Sequence, residues 1–581
     1  MKTTIIYKVR KMAKGFLPFY LFTLLPLFSS CSDFLDVLPL NDVVLENYWT
    51  KKSDVTSELM GCYEDLQSED CVTRMGLWGE VRSDNMKLGV SASQDLQQLV
   101  KENILPSNSY CNWASFYKAI NSCNIVIHYA PEVQELDPNY TLSEMKANIA
   151  EATFIRSLCY FYLIRAFRDV PFTREPSIDD TKEYRVPADS FNVVLDNLIA
   201  DMEAVKDDAL LYFRKPNPDP DKAQESGEIW NTARVTRPAM YALLADLYLW
   251  KGNWQKCVEC CDYVIEFKQN EYENLLKRRL QNDVYLFNDI PLLLEKRQSS
   301  PSAGAAYNAI FGSGNSFESL FEITYDRELN NNEKNRNNYI ANHYYGRSGN
   351  NQSNGRLAAV DEFYEGLPTT STELFNKADY RAYECIYQVG TTQFFIAKYG
   401  AEFVGLDNSK SDWKPSYSWR DQAYAHWIIY RLTDVMLMKA AALIEQGDSY
   451  FEDAFSLINA VSRRAVNSLT PGTGEVLKYD DYKDSKENME KLVMEERHRE
   501  LMFEGKRWFD LVRMARLTGS TKDLATTVTK KQLTNISGIQ IRLADSNALY
   551  LPYYRNELKV NPYLHQNPAY HTGDDSDLSK N

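Results

Sequence analysis

RPAMYALLADLYLWKGNWQKCVECCDYVIEF, residues 237–267, is the stretch from which the fold can be read. Apolar residues recur every three or four positions up to Trp250, Gly252-Asn253 interrupts them, and the pattern restarts at Trp254. That spacing marks an amphipathic helix, and glycine ends a helix with the least strain. The stretch predicts two antiparallel helices, Arg237 to Trp250 and Trp254 to Phe267. Ala and Leu on the first admit the second at close range.

The device returns downstream as Trp427 to Glu445, a Gly447-Asp448 turn, and Phe451 to Ala465. Upstream, Trp113 to Tyr129 reads as a helix stopped by Pro131, and Ser143 to Arg168 as a long helix ending before Asp169-Val170-Pro171. Ala188 to Val205 reads as a further one opened by Asp189-Ser190. Each hairpin leaves an apolar face that only a stacked neighbour covers. The predicted class is mainly α: a tetratricopeptide-like helical-hairpin scaffold over 40–297 and 423–530. Between its halves, 298–422 is rich in Asn, Gly, Ser and Tyr and reads as a loop-rich insert with a few short β-strands, such as SLFEITY (319–325) and FFIAKY (394–399). Long loops on a rigid scaffold are where binding residues usually live. Residues 531–581 read as an extended C-terminal segment, and 31–581 as a single domain.

The chain has 581 residues, 44% hydrophobic and 25% charged, the balance of a globular protein. Lys+Arg 65 against Asp+Glu 80 leaves −15, and the first thirty residues hold cations but no acid, so the remainder is more acidic still. Such a surface repels phosphate backbones and argues against a general nucleic-acid binder. Tyr 38, Phe 26 and Trp 10 are an aromatic excess that suits recognition surfaces as well as cores.

Residues 1–30 combine a basic head, the apolar run GFLPFYLFTLLPLF (15–28) and the small pair Ser29-Ser30, the three parts of a secretory signal. Cys31 follows at once, as in a bacterial lipobox, with Phe28 where such boxes prefer Leu. Acylation of Cys31 is the expectation. Asp33 and Asp36 behind it resemble the acidic export tag of surface lipoproteins in Bacteroidetes-like bacteria. Ten cysteines less an acylated Cys31 leave an odd number, so complete internal pairing is excluded. Cys257, Cys260 and Cys261 lie on one helical face without a second Cys or His pair nearby, and read as buried free thiols rather than a zinc site.

The sequence lacks GxSxG, HExxH and a Walker loop, and GSGNSF (312–317) fails the dinucleotide fingerprint at its last position. Asn217, Asp219, Asp221, Ala223, Glu225 and Glu228 mimic the spacing of a calcium loop, but Lys222 replaces the required Gly and Pro218 and Pro220 oppose the winding, so the segment reads as a solvated linker. No cofactor is expected. EERHRELMFEGKRWFDLVR (495–513) reads as one structural helix, with Glu495–Arg499 and Lys506–Asp510 as i,i+4 pairs.

Taken in order, CSDFLDVLP (31–39), AEATFIRSLCYFYLIRAFRDVPF (150–172), RVTRPAMYALLADLYLWKGNWQKC (234–257), YRLTDVMLMKAAALIEQGD (430–448), EERHRELMFEGKRWFDLVR (495–513) and LYLPYYRNELKVNPYLHQNPAY (549–570) resemble the SusD/RagB-like family, the nutrient-binding outer-membrane lipoproteins of Bacteroidetes. The resemblance implies a lipid-anchored binding protein at the cell surface that is not an enzyme. It also implies an oligosaccharide ligand, less often a peptide, and a SusC-like TonB-dependent barrel as partner.

By chain order the resemblance points to two ligand regions. One is WGEVRSDNMKLG (78–89), with Trp78, Arg82, Asp84 and Asn85. The other is the insert, with Tyr339, His343, Tyr344, Tyr345, Trp413, Tyr417 and Trp419, where Arg347 and Arg420 would rim an aromatic platform. Aromatic faces stack on the C–H faces of a sugar while Asp, Asn and Arg fix its hydroxyls. Two readings of other classes stay open: a carboxylate-dependent surface glycoside hydrolase, which needs only two suitably spaced acids, and a periplasmic tetratricopeptide scaffold that binds protein.

Overall fold

The computed structural model describes residues 48–178, 185–219, 228–296, 302–325, 343–344, 355–363, 374–375, 379–389, 393–407, 414–420, 424–466, 477–531 and 534–570. Cys31, Tyr339, Tyr345, Arg347 and Trp413 lie outside the described residues, as does most of the calcium-like segment.

The chain is mainly α. Its principal helices are α1 (Lys52–Gln67), α2 (Glu69–Glu80), α3 (Ala114–Leu136), α4 (Leu142–Phe167), α5 (Phe191–Val205), α6 (Arg237–Lys251), α7 (Trp254–Glu271), α8 (Leu432–Gln446), α9 (Phe451–Ala465), α10 (Lys486–Leu501), α11 (Arg507–Thr518), α12 (Ile536–Leu543) and α13 (Arg555–Val560). Neighbours stack in series: α1 on α3, α3 on α4, α4 on α5, α6 on α7, α7 on α8 and α8 on α9. The α6–α7 hairpin turns at Gly252, whose φ of 78° is the left-handed value glycine adopts freely. α4 is the axis of the stack. From Ala150 to Phe167 every residue is buried, so its charges must be paired inside. Glu151 accepts from Arg234 and Tyr63, and Arg156 donates to Asp201.

Three boundaries differ from the sequence reading. Pro131 does not stop α3, which runs on to Leu136. It sits on the solvent side, and buried Val133 keeps the last turns attached. Trp427 to Glu445 is not one helix: Trp427–Arg431 is a strand, fully buried, and only then does α8 begin. A short buried run rich in β-branched residues has no periodicity that separates strand from helix. EERHRELMFEGKRWFDLVR is two helices, broken where Phe503 (φ 67°) and Gly505 (φ 71°) take left-handed conformations. Glu80, at the end of α2, holds that break. Its carboxylate accepts the N–H groups of Phe503, Gly505 and Lys506 at 2.9, 3.0 and 3.2 Å. The C-terminal part is not simply extended either, since it contains α12 and α13.

Short strands build the insert and its attachments: β1 (Met86–Leu88), β2 (Ser319–Ile323), β3 (Leu357–Ala359), β4 (Ile386–Val389), β5 (Gln393–Ile396), β6 (Ala401–Asp407), β7 (Lys414–Trp419) and β8 (Trp427–Arg431). All the pairings are antiparallel: β1 with β3, β2 with β8, β4 with β5, and β6 with β7. β1 precedes the insert and β8 follows it, so the pairs β1–β3 and β2–β8 tie it to the scaffold.

Candidate functional site

A buried ion network locks the insert onto α10. Glu500 takes Arg381 at 3.0 Å, Arg431 at 2.6 Å and also Arg464. Arg381 further holds Asp379 and Glu496 at 2.7 Å each, while Glu504 pairs with Lys398 at 2.6 Å and Arg431 at 2.7 Å. Burial opposes the charge on Glu500, yet Arg464, Arg431 and Arg381 outweigh it and keep its carboxyl well below the usual range. Of these cations, Arg381 and Lys398 come from the insert and Arg431 and Arg464 from the scaffold. Removing one partner of such a set leaves an uncompensated buried charge, so the network sets where the insert sits.

Carried on this base, the β6–β7 hairpin presents Tyr417 and Trp419 together. Their rings stack at 5.3 Å and 25°, and Tyr387 of β4 meets them at 4.8 and 5.1 Å. They share a face because residues i and i+2 of a strand point the same way. Both are half-buried, keeping part of their rings open. The Tyr417 hydroxyl donates to Tyr383 O at 2.6 Å, which fixes the ring. Arg420 does not rim this cluster. It is buried, donating to Tyr399 O at 3.1 Å, Phe311 O at 2.7 Å and Gly312 O at 2.5 Å.

The other expected contacts lie in the core, a correction to the sequence reading. Trp78 sits between Phe116 and Phe167 and donates its Nε1–H to Tyr110 O at 2.9 Å. Arg82 clamps Glu102 at 2.6 Å, donates to Ala548 O and Leu549 O, and lies 4.1 Å over the Trp508 ring. Asp84 takes Arg507 at 2.9 and 3.0 Å. Burial works against its charge, but Arg507 and His498 hold the carboxyl below the ordinary range. Asn85 donates to Glu80 at 2.5 Å and meets His498 Nε2. Tyr344 is wholly buried and donates its hydroxyl to Phe503 O at 2.8 Å; His343 is buried as well. These side chains are closed to solvent, and Trp78, Arg82, Asp84, Asn85 and Tyr344 are spent on partners elsewhere in the fold. Residues 78–85 weld the first helices to the C-terminal third of the chain.

Tyr387 and Phe403 were missed by the sequence reading. Tyr387 lies in a strand without a turn or motif signal. Phe403 lies within an alternating run, AEFVGL (401–406), and is 49% exposed. Cys257, Cys260 and Cys261 are buried free thiols. Among the described residues, no group of His, Cys, Asp or Glu is placed to hold a metal. Glu228, the twelfth position of the calcium-like spacing, is bound by Arg279 at 2.9 Å.

Two family models match the chain. One, described as "SusD family", covers residues 409–570, and the other, "Starch-binding associating with outer membrane", covers 33–249. SusD-like protein P38 of Formosa agariphila is 23% identical over 89% of this chain and 95% of its own. A SusD superfamily protein of Bacteroides thetaiotaomicron superposes with a TM-score of 0.61 at 19% identity, covering 90% of this chain and 99% of that one. Surface glycan-binding protein A of Bacteroides uniformis does so at 0.60 and 20%, covering 90% and 100%.

Proposed function

We propose, from the premise that the chain belongs to the SusD/RagB-like family, that it is a non-catalytic glycan-binding lipoprotein of the outer membrane, facing the cell exterior. It captures oligosaccharides at the insert and hands them to a SusC-like TonB-dependent transporter. The observation that carries the ligand reading is the half-open stack of Tyr387, Tyr417 and Trp419, held by a buried network that fixes the face before any ligand arrives. Rings fixed in advance lose little freedom on binding, which favours affinity. A match to a model described as starch-binding and outer-membrane-associated supports the class of ligand and the location. Acyl chains on Cys31 provide the anchor.

The test is a panel of malto-, cello-, xylo- and galacto-oligosaccharides and short peptides, with binding and product release followed together. Saturable glycan binding without product is the expected result. Turnover would instead favour a glycoside hydrolase, peptide binding alone a peptide carrier, and silence on all of them a protein-binding scaffold. For the anchor, Cys31→Ala leaves a folded protein that no longer partitions with outer membranes in cells lacking the barrel partner. Unchanged partitioning of that variant would refute lipidation.

A further inference from the structure

The geometry points to Phe403 as a second sugar-stacking position, on the outward face of the β6–β7 hairpin and opposite to the Tyr417–Trp419 stack; this rests on the glycan-binding reading above.

The observation is a break in register. Ala401 pairs with Trp419, but the next pair is Phe403 with Ser418, so β6 carries one extra residue at Glu402. In an unbroken ladder Phe403 would face Tyr417 and join the packed side. The bulge flips it outward, and bulges commonly re-aim a side chain in this way. Beyond it the alternation resumes: Val404 opposes Tyr417 and Leu406 opposes Pro415 on the packed side, while Gly405 opposes Ser416 on the outward side. Phe403 therefore stands out of the sheet with 49% of its surface open, among Ser416 and Ser418, which are exposed too.

Gly405 supplies the bed for the ring. A Cβ at position 405 would lie 3.1 and 3.4 Å from two carbons of the Phe403 ring and 2.9 Å from Ser416 Oγ. The ring thus leans over the one residue of its strand that lacks a side chain, which leaves its other side to solvent. The Ser416 hydroxyl donates to Gly405 O at 3.1 Å and so retains lone pairs that can accept from a ligand hydroxyl. An open ring beside accepting hydroxyls is complementary to a pyranose, which offers a C–H face ringed by O–H groups. A purely apolar occupant would take these hydroxyls out of water and offer their lone pairs no donor.

Titration calorimetry with the same oligosaccharides decides it. For a glycan that the wild type binds, Phe403→Ala is expected to weaken affinity about tenfold, and Phe403→Trp to retain or improve it. Gly405→Ala, which displaces the ring without removing it, is expected to weaken affinity several-fold. Melting temperature should not move for Phe403→Ala, because the ring supports no core. Wild-type affinity in Phe403→Ala for every glycan bound overturns the inference while the wider reading stands. A wild-type protein that binds none of the glycans removes both. Should Gly405→Ala prove unstable, the two Phe403 variants still decide.

Discussion

The segment from Trp78 to Asn85 and the β6–β7 hairpin are built from the same materials, aromatic rings beside Arg and small polar groups, and they end in opposite situations. In the first, the polar groups meet partners from the far end of the chain: Arg82 with the carbonyls of Ala548 and Leu549, Asp84 with Arg507, Asn85 with His498. In the second, strand alternation places Ser416 and Ser418 in water and leaves the aromatic side chains partly open. Residue type does not separate a binding face from a polar core; the supply of long-range partners does. A buried Arg is tolerated only where carboxylates and carbonyls are already waiting for it.

That contrast is sharpest in Arg82→Ala. It strands the Glu102 carboxylate in the core, so a stability loss of ~3–5 kcal/mol is expected in denaturant unfolding. Any glycan affinity that survives in the folded fraction should be unchanged. A stable variant with weakened glycan binding would return this segment to the ligand site.

The two regions also differ in pH response. His498, packed against Asn85 and Asp84, is pushed down from 6.5 to about 3 by burial and by Arg507. Its folded form is therefore neutral, and below pH 6.5 the unfolded chain binds the extra proton. Its contribution to stability is full above pH 6.5 and is lost as pH falls toward 3, with a slope of at most ~1.4 kcal/mol per pH unit. Unfolding midpoints measured across that window should fall with acid, and less steeply in His498→Gln. A slope identical in the two proteins would show that His498 does not titrate in this way.

On the hairpin, Trp419→Ala is expected to cost ~1–2 kcal/mol of glycan affinity with little change in melting temperature, the reverse of Arg82→Ala. Calorimetry beside a thermal melt separates the two outcomes, and a melt that collapses would place Trp419 with the core residues. The smallest effect expected is that of Tyr417→Phe, which loses the hydrogen bond to Tyr383 O. A stability loss of ~0.5–1.5 kcal/mol in denaturant is predicted, with stacking on the ligand intact.

Much of the scaffold was legible because helical period and glycine turns are local signals. Phe451 to Ala465 follows from them to the residue, and so does the turn of the α6–α7 hairpin, although α7 runs a turn beyond Phe267 to Glu271. The site was less legible. Trp78, Arg82, Asp84 and Asn85 look like ligand contacts when the partners that bury them, such as Arg507 and the carbonyls of Ala548 and Leu549, lie more than four hundred residues away. Phe403 was overlooked for the opposite reason. In an alternating run its parity assigns it to one face, and only the bulge at Glu402, which has no sequence signature here, moves it to the other.

The grip of Glu80 on residues 503–506 has a kinetic consequence. The carboxylate and the N–H groups it accepts are 423 to 426 residues apart, and Gly79 approaches Gly505 so closely that a Cβ there would collide with its carbonyl. The N-terminal helices thus cannot reach their final packing until almost the whole polypeptide is available. Contacts of such sequence separation are formed late and slowly. The sequence-local hairpins can form early, but the junction between α2 and the break at 503–506 closes only once most of the chain has been made.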